Sequence, residues 1–162
     1  MQRIFIMAMA ITIVLLPACT SKKKEKYADL SEGGKQIMTL LDKIEKNDKL
    51  AYKAYKQGLT KLEVDNLSVE EIQKTTKQAL AMQKRAEVYL VKSSKLLTKV
   101  SQLTREKKSS LTKKDKQAID KRKAEMFMLN KKIGAINEKF PKAAERAAKI
   151  LIKKTIQRMS RK

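Results

Sequence analysis

The sequence has no histidine, no tryptophan and a single cysteine, Cys19. Without histidine, the common zinc sites and the Ser-His and Cys-His nucleophile arrangements have no members. One cysteine excludes a disulfide within the chain. Only four glycines occur among 162 residues, and Gly33-Gly34, Gly58 and Gly134 do not make a phosphate-cradling loop. There are two prolines, Pro17 and Pro141, so long stretches carry no helix breaker. Acidic side chains are also scarce, 17 against 39 Lys and Arg. The adjacent carboxylates Glu70-Glu71 are the obvious pair for acid–base work, but a helix start explains them equally well. These absences argue against an enzyme, and no cofactor or metal is expected.

What is present favours helix over sheet. Lys, Ala, Leu, Ile, Gln and Glu dominate, and straight-chain residues lose little rotamer freedom in a helix. The length suits one domain. The net charge of +22 opposes compaction by self-repulsion, which long elements spread out. Acidic residues stand four before a lysine at Glu45/Lys49, Glu70/Lys74, Glu138/Lys142 and Glu145/Lys149, among others. Each such pair gives a few tenths of a kcal/mol, about 0.2–0.5, and softens the repulsion without cancelling it.

Ile4 to Leu16 is a run of thirteen uncharged residues after the basic start Met1-Gln2-Arg3. At ~1.5 Å per residue it reaches about 20 Å, short of the ~30 Å of a bilayer core. A small residue, Ala18, follows, as at a secretory cut. By themselves these residues fit a plain secretory signal or an uncleaved anchor helix. Leu16-Pro17-Ala18-Cys19, with Cys19 the only cysteine and a lysine-rich stretch behind it, resembles the lipobox of bacterial lipoproteins. The resemblance covers the first nineteen residues. It implies cleavage between Ala18 and Cys19, with the Cys19 thiol joined to diacylglycerol and further acyl groups such as palmitate. It further implies outer-membrane sorting, because Thr20 and Ser21 follow the cysteine in place of Asp. On this reading residues 1–18 are a removed signal peptide, residues 19–28 the lipidated cysteine and a polar tether, and residues 29–162 a helical bundle domain.

The bundle is read from apolar spacing. The first helix is expected from Asp29, through the capping-box spacing Asp29-Leu30-Ser31-Glu32, or from Gly34 or Lys35 if the two glycines weaken that turn. Its stripe is Ile37, Leu41, Ile44, Ala51, Tyr55, Leu59 and Leu62. Asn47-Asp48 interrupts the stripe, but the phase carries through, which favours one helix of about thirty residues. Residues 63–67 read as a turn. Ser68 and Glu71 form the clearest capping box. The second stripe is Ile72, Thr76, Ala79, Met82, Ala86, Leu90, Ser93, Leu97, Val100 and Leu103 or Thr104, ending near Glu106. Thr112 and Asp115 restart a helix whose stripe is Ile119, Met126, Leu129, Ile133, Ile136 and Phe140. Arg122 falls on that stripe and is expected to pack its stem and leave its head in water. Pro141 then predicts a kink or small break, or a fourth short helix if the chain reverses there. The expected fold is all-α, an elongated antiparallel bundle of three long amphipathic helices, coiled-coil-like in its seven-residue repeats.

The remaining signal is positive charge. Residues 141–162 hold eight basic residues against Glu145 alone, and Lys142, Arg146, Lys149, Lys153, Lys154 and Arg158 are the expected anionic-partner site. Residues 104–124 hold nine against three. For an exported chain the partners are anionic phospholipid, cell-wall polymer or sulfated sugar, and the alternative is a solvated face with incidental charge. Nucleic acid is disfavoured: no DNA-binding motif appears and aromatics do not interleave with the basic residues. The heptads also suit self-association. The C-terminal Arg161-Lys162 is similar to the end of the peptidoglycan-linked lipoproteins of enteric bacteria, themselves helical and lipidated. That resemblance implies a bond from Lys162 to the wall and a spacer role.

Overall fold

The computed structural model describes residues 26–161. The lipobox with Ala18 and Cys19, most of the tether, and Lys162 lie outside the described residues.

Three helices follow in order: α1, Glu32–Lys61; α2, Val69–Glu106; and α3, Lys113–Met159. No strand occurs among the described residues. The fold is thus the all-α bundle of three long helices that the apolar spacing predicts. α1 runs unbroken through Asn47-Asp48. α3 has 47 residues and continues through Pro141 with no fourth helix. Neither the break nor the reversal occurs, because Phe140 and Ala147, on either side of the proline, are both buried against the same core. That packing outweighs the backbone bond which Pro141 denies to Asn137.

Each helix starts on a side-chain cap. At α2, the Glu71 amide donates to Ser68 Oγ at 3.3 Å and the Ser68 amide donates to Glu71 Oε2 at 2.8 Å, a complete capping box. At α3 the box is Thr112 with Asp115. At α1 the cap is Ser31 and not Asp29: Ser31 Oγ accepts from the Gly34 amide at 3.1 Å. Asp29 instead accepts from Lys114 Nζ at 3.0 Å, on the neighbouring helix start. The packed region also begins before residue 29. Tyr27 and Leu30 rest on the apolar cluster under α1, and Tyr27 Oη donates to Asp42 Oδ2 at 2.8 Å.

α1 is the middle helix. It packs on both α2 and α3, which touch each other little. α2 and α3 each bury one position in seven: Ile72, Ala79, Ala86, Ser93 and Val100 on α2, and Ile119, Met126, Ile133, Phe140 and Ala147 on α3, where the capping Asp115 is buried as well. α1 buries residues on two flanks, from Ile37 and Met38 to Ala54 and Tyr55. The seam with α2 is built from small residues. Ala79 and Ala86 lie in one cluster with Ala51 and Ala54, and this lets the backbones approach. Gly58 belongs to the same device: a Cβ there would lie 2.7 Å from Phe140 Cε2 and 3.3 Å from the Ala79 carbonyl oxygen.

The core falls into two apolar clusters. One holds Ile37, Leu41, Ile44, Val100, Ile119 and Met126. The other holds Ala51, Tyr55, Ile72, Ile133, Phe140 and Ala147, with the Tyr55 and Phe140 rings edge-on at 6.2 Å. Between them in sequence, Asp48 and Ser93 form a buried polar pair, Ser93 Oγ donating to Asp48 Oδ1 at 2.5 Å. Among the described residues no helix is long and apolar enough to cross a membrane.

Candidate functional site

The C-terminal basic residues lie along α3, beside the connection between α1 and α2. The Arg146 guanidinium donates to both Asp65 oxygens at 2.9 Å. Lys154 Nζ donates to the carbonyls of Asp65 at 3.0 Å and Leu67 at 2.6 Å. Arg158 pairs with Glu70 in the first turn of α2. Arg146, Lys154 and Arg158 therefore clamp the 62–70 connection, where Leu62 and Val64 are buried. Lys149 pairs with Glu145 at 2.6 Å. Of the six residues expected at an anionic site, Lys142 and Lys153 alone have no partner among the described residues.

Glu70 illustrates the difference between spacing and contact. Its spacing predicts Lys74 as partner, yet Arg158 takes it. That guanidinium holds the Glu70 carboxyl below its ordinary range. Glu45/Lys49 and Glu145/Lys149 do pair as spaced, at 2.8 and 2.6 Å.

Arg122 also differs from expectation. Its head does not stand in water. It reaches across to α1, where one terminal nitrogen meets Asp42 at 2.6 Å and also Glu45, while the other meets Glu125 at 3.0 Å. Burial lowers the guanidinium pKa, and the hydrogen bonds it donates to Glu125 and Asp42 more than offset it. The reason is register: α1 and α3 start together, so Arg122, ten residues past the Thr112 cap, comes level with Asp42, eleven past the Ser31 cap.

A different basic surface emerges from the packing of α1 on α2. One groove between them is lined by Lys43, Lys46 and Asn47 from α1 and by Lys92, Lys95, Leu96 and Lys99 from α2. A second stretch on the same pair of helices adds Lys53 from α1 and Arg85 and Tyr89 from α2. No carboxylate lines either stretch. Lys43, Lys46, Lys53, Lys95 and Lys99 have no hydrogen-bond or ion-pair partner among the described residues. Tyr89 sits between two cations on its own helix, with Arg85 Cζ 5.9 Å and Lys92 Nζ 5.7 Å from the ring centroid. Of the acids of α1 nearest in sequence, Asp48 is turned into the core, and Asp42 and Glu45 pair with Arg122 in a neighbouring hollow that Lys46 and Lys53 also line.

This groove was within reach of the sequence. Lys92, Lys95 and Lys99 recur at three and four, as do the apolar residues, one flank away from the stripe. Their meeting with Lys43 and Lys46 was not visible, because it depends on the α1–α2 register. Comparison with protein-family models, curated proteins and solved structures finds no match for this chain. Among the described residues, no group of three or more His, Cys, Asp or Glu is placed to hold a metal ion. The arrangement offers fixed positive charge along an elongated surface, with an aromatic ring and a leucine in its floor. It suits electrostatic capture of an extended anion.

Proposed function

We propose that the protein is a lipid-anchored, non-enzymatic helical component of a bacterial cell envelope whose basic surface binds anionic envelope molecules. The observation that carries this reading is the α1–α2 groove, with lysines from both helices and no carboxylate in its lining. In a structure where Arg122, Arg146, Lys149 and Arg158 all find carboxylates, this cluster of cations is left for a partner outside the chain. The anchor is Cys19, supported by the Leu16-Pro17-Ala18-Cys19 resemblance, and the location is the outer membrane, supported by Thr20 and Ser21. Two or more acyl chains hold a protein stably at a membrane without a spanning helix.

The test compares two fourfold variants of the protein in binding to heparin, a sulfated polyanion, at rising salt. One replaces Lys43, Lys46, Lys95 and Lys99 by Gln. The other replaces Lys121, Lys123, Lys131 and Lys132, exposed on α3, by Gln. Both lose the same charge. The groove variant should lose far more affinity and show the shallower salt dependence. Equal losses would mean diffuse charge and would sink the groove as a site. Intact mass of the envelope-extracted protein tests the anchor: residues 1–18 absent and Cys19 acylated are expected.

A structural spacer between membrane and wall is the second reading. The observation favouring it is the placement of the described ends. Lys26 lies by Asp42, in the part of α1 near the start of α3, whereas α3 continues for 47 residues, about 70 Å, to the far end. A lipid on Cys19 and a wall bond on Lys162 would be held apart by the bundle. Peptide mapping for a wall fragment on Lys162 checks it. Assembly through the heptads belongs to this second reading and predicts association that persists at high salt; binding of nucleic acid is the lesser reading.

A further inference from the structure

The last turns of α3 carry an apolar stripe that none of the described residues covers. Ile152, Ile156 and Met159 are spaced by four and three residues, which aligns them on one face. They are 59%, 61% and 73% exposed. The fold uses other faces of the same segment. Ala147 is buried, Lys154 holds the carbonyls of Asp65 and Leu67, and Arg158 holds Glu70. The stripe is therefore fixed in orientation, pointing away from the connection that α3 clamps.

Its neighbours are basic. Lys149 and Lys153 stand three residues before Ile152 and Ile156 and so flank them on the helix surface. Lys153 has no partner among the described residues. Glu145 is the one acid between residues 141 and 161, and Lys149 already occupies it at 2.6 Å. Three apolar side chains in line, bordered by lysines on a regular helix, is the arrangement of helices that lie in the plane of a membrane surface.

We propose that this tip of α3 docks on an anionic lipid surface, with Ile152, Ile156 and Met159 among the upper acyl segments and Lys149 and Lys153 at the head-group phosphates. Charge selects this occupant over a second copy of the chain. Two copies meeting at this stripe would bring like-charged lysines together on a protein of net charge +22. A negative leaflet gains from the same lysines. The surface lies on α3 and shares no residue with the α1–α2 groove, so it goes beyond the binding reading above.

The chain contains no tryptophan, so Met159→Trp places a unique fluorescent reporter on the stripe. The full chain carrying it is reconstituted into vesicles of phosphatidylcholine alone or with phosphatidylglycerol, each with and without brominated acyl chains. The expected result is a blue shift and bromine quenching in the phosphatidylglycerol vesicles, absent in phosphatidylcholine and abolished by adding Ile156→Glu. Val91→Trp, at a comparably exposed apolar site on α2, should show neither. An unshifted, unquenched reporter in anionic vesicles overturns the proposal. So does an equal response at Val91, which would be general adsorption. A shift that follows protein density and ignores lipid charge would assign the stripe to a second copy and overturn it as well. The fourfold groove variant should leave the reporter unchanged while losing heparin affinity, so failure of one surface is distinguishable from failure of the other.

Discussion

Asp115 at the start of α3 caps two helices at once through Ser31, 84 residues away. Ser31 Oγ donates to Asp115 Oδ2 at 2.7 Å, and the Ser31 amide donates to Oδ1 at 3.0 Å. The same carboxylate accepts from the Thr112 amide at 2.7 Å and the Thr112 hydroxyl at 2.8 Å. It is fully buried. Burial pushes its pKa up, but the hydrogen bonds from Ser31 and Thr112 outweigh it and hold the carboxyl below its ordinary range. Gly34 makes the approach possible, since a Cβ there would lie 2.2 Å from Asp115 Oδ1.

Asp115→Ala should therefore destabilise the protein by about 2–4 kcal/mol, the cost of two helix caps, measured by urea unfolding at neutral pH. The sign in acid follows from the lowered pKa. The contribution is present above the unfolded-state value of about 3.9 and is lost as pH falls through the lower folded value. The variant should lose less stability than the wild type over that acid range. A variant within about 0.5 kcal/mol of wild type at neutral pH would mean that the double cap carries no weight.

Asp48 should behave in the opposite sense. Burial raises its pKa and the nearby Glu45 charge adds to this, while the bond from Ser93 opposes them. Its Oδ2 has no hydrogen-bond partner among the described residues. The neutral carboxyl fits the site, so its stabilisation is full below the unfolded pKa and is lost as pH rises through the folded pKa. Asp48→Asn removes the charge and keeps the size. The variant should gain on the wild type as pH rises from about 4 to 7, reaching roughly 1–2 kcal/mol. Melting temperatures across that range read it directly, and parallel curves would show that Asp48 does not titrate there.

Arg122 links α1 to α3 through Asp42, Glu45 and Glu125. Its side chain is 18% exposed, so Arg122→Leu strands partly buried carboxylates. The expected loss is about 1–3 kcal/mol by denaturant unfolding. Arg122→Lys should recover only part of it, because one ammonium cannot reproduce the planar fork that meets three carboxylates. Full recovery by lysine would reduce the site to a simple charge effect.

Two glycines predict opposite signs for the same substitution. Gly58→Ala drives a methyl into the Phe140 ring, whose neighbour is Tyr55, and should cost about 1–3 kcal/mol. Gly134→Ala meets nothing within 4 Å on the α3 surface and should stabilise by about 0.5–1 kcal/mol through helix propensity. Circular dichroism melts of the two variants decide it; equal effects would contradict the tight seam at Gly58.

Helix number and most helix ends were legible in the sequence. Ser68 with Glu71 and Thr112 with Asp115 mark their helices because capping is local, and so does the end at Glu106. Ser31 was less legible: Asp29 has the same capping chemistry, and it is Asp115, from a distant part of the chain, that holds Ser31 at the helix start. The stripes were also readable, though broader than the burial that results. Leu97 continues the α2 pattern yet is 39% exposed, because each outer helix meets one partner and buries little beyond one position per heptad.

The candidate site divides in the same way. Basic density pointed to residues 141–162, but density does not say which cations are already paired. Arg146, Lys154 and Arg158 are taken by a connection more than 80 residues away, and the lysines of the groove come from two helices, each with a lower basic density than residues 141–162.

What the sequence by itself determined is what acts within a few residues: helix, cap, turn and the line of apolar side chains. Those depend on backbone geometry and propensity. Which helix lies in the middle, which arginine meets which carboxylate, and which lysines share a groove were decided only by the tertiary structure. Asp48 beside Ser93, Arg122 beside Asp42 and Lys43 across from Lys99 all follow from how α2 and α3 register on α1. That register is set by side-chain volume, at Gly34 and Gly58 above all, and volume acts between residues that are distant in sequence.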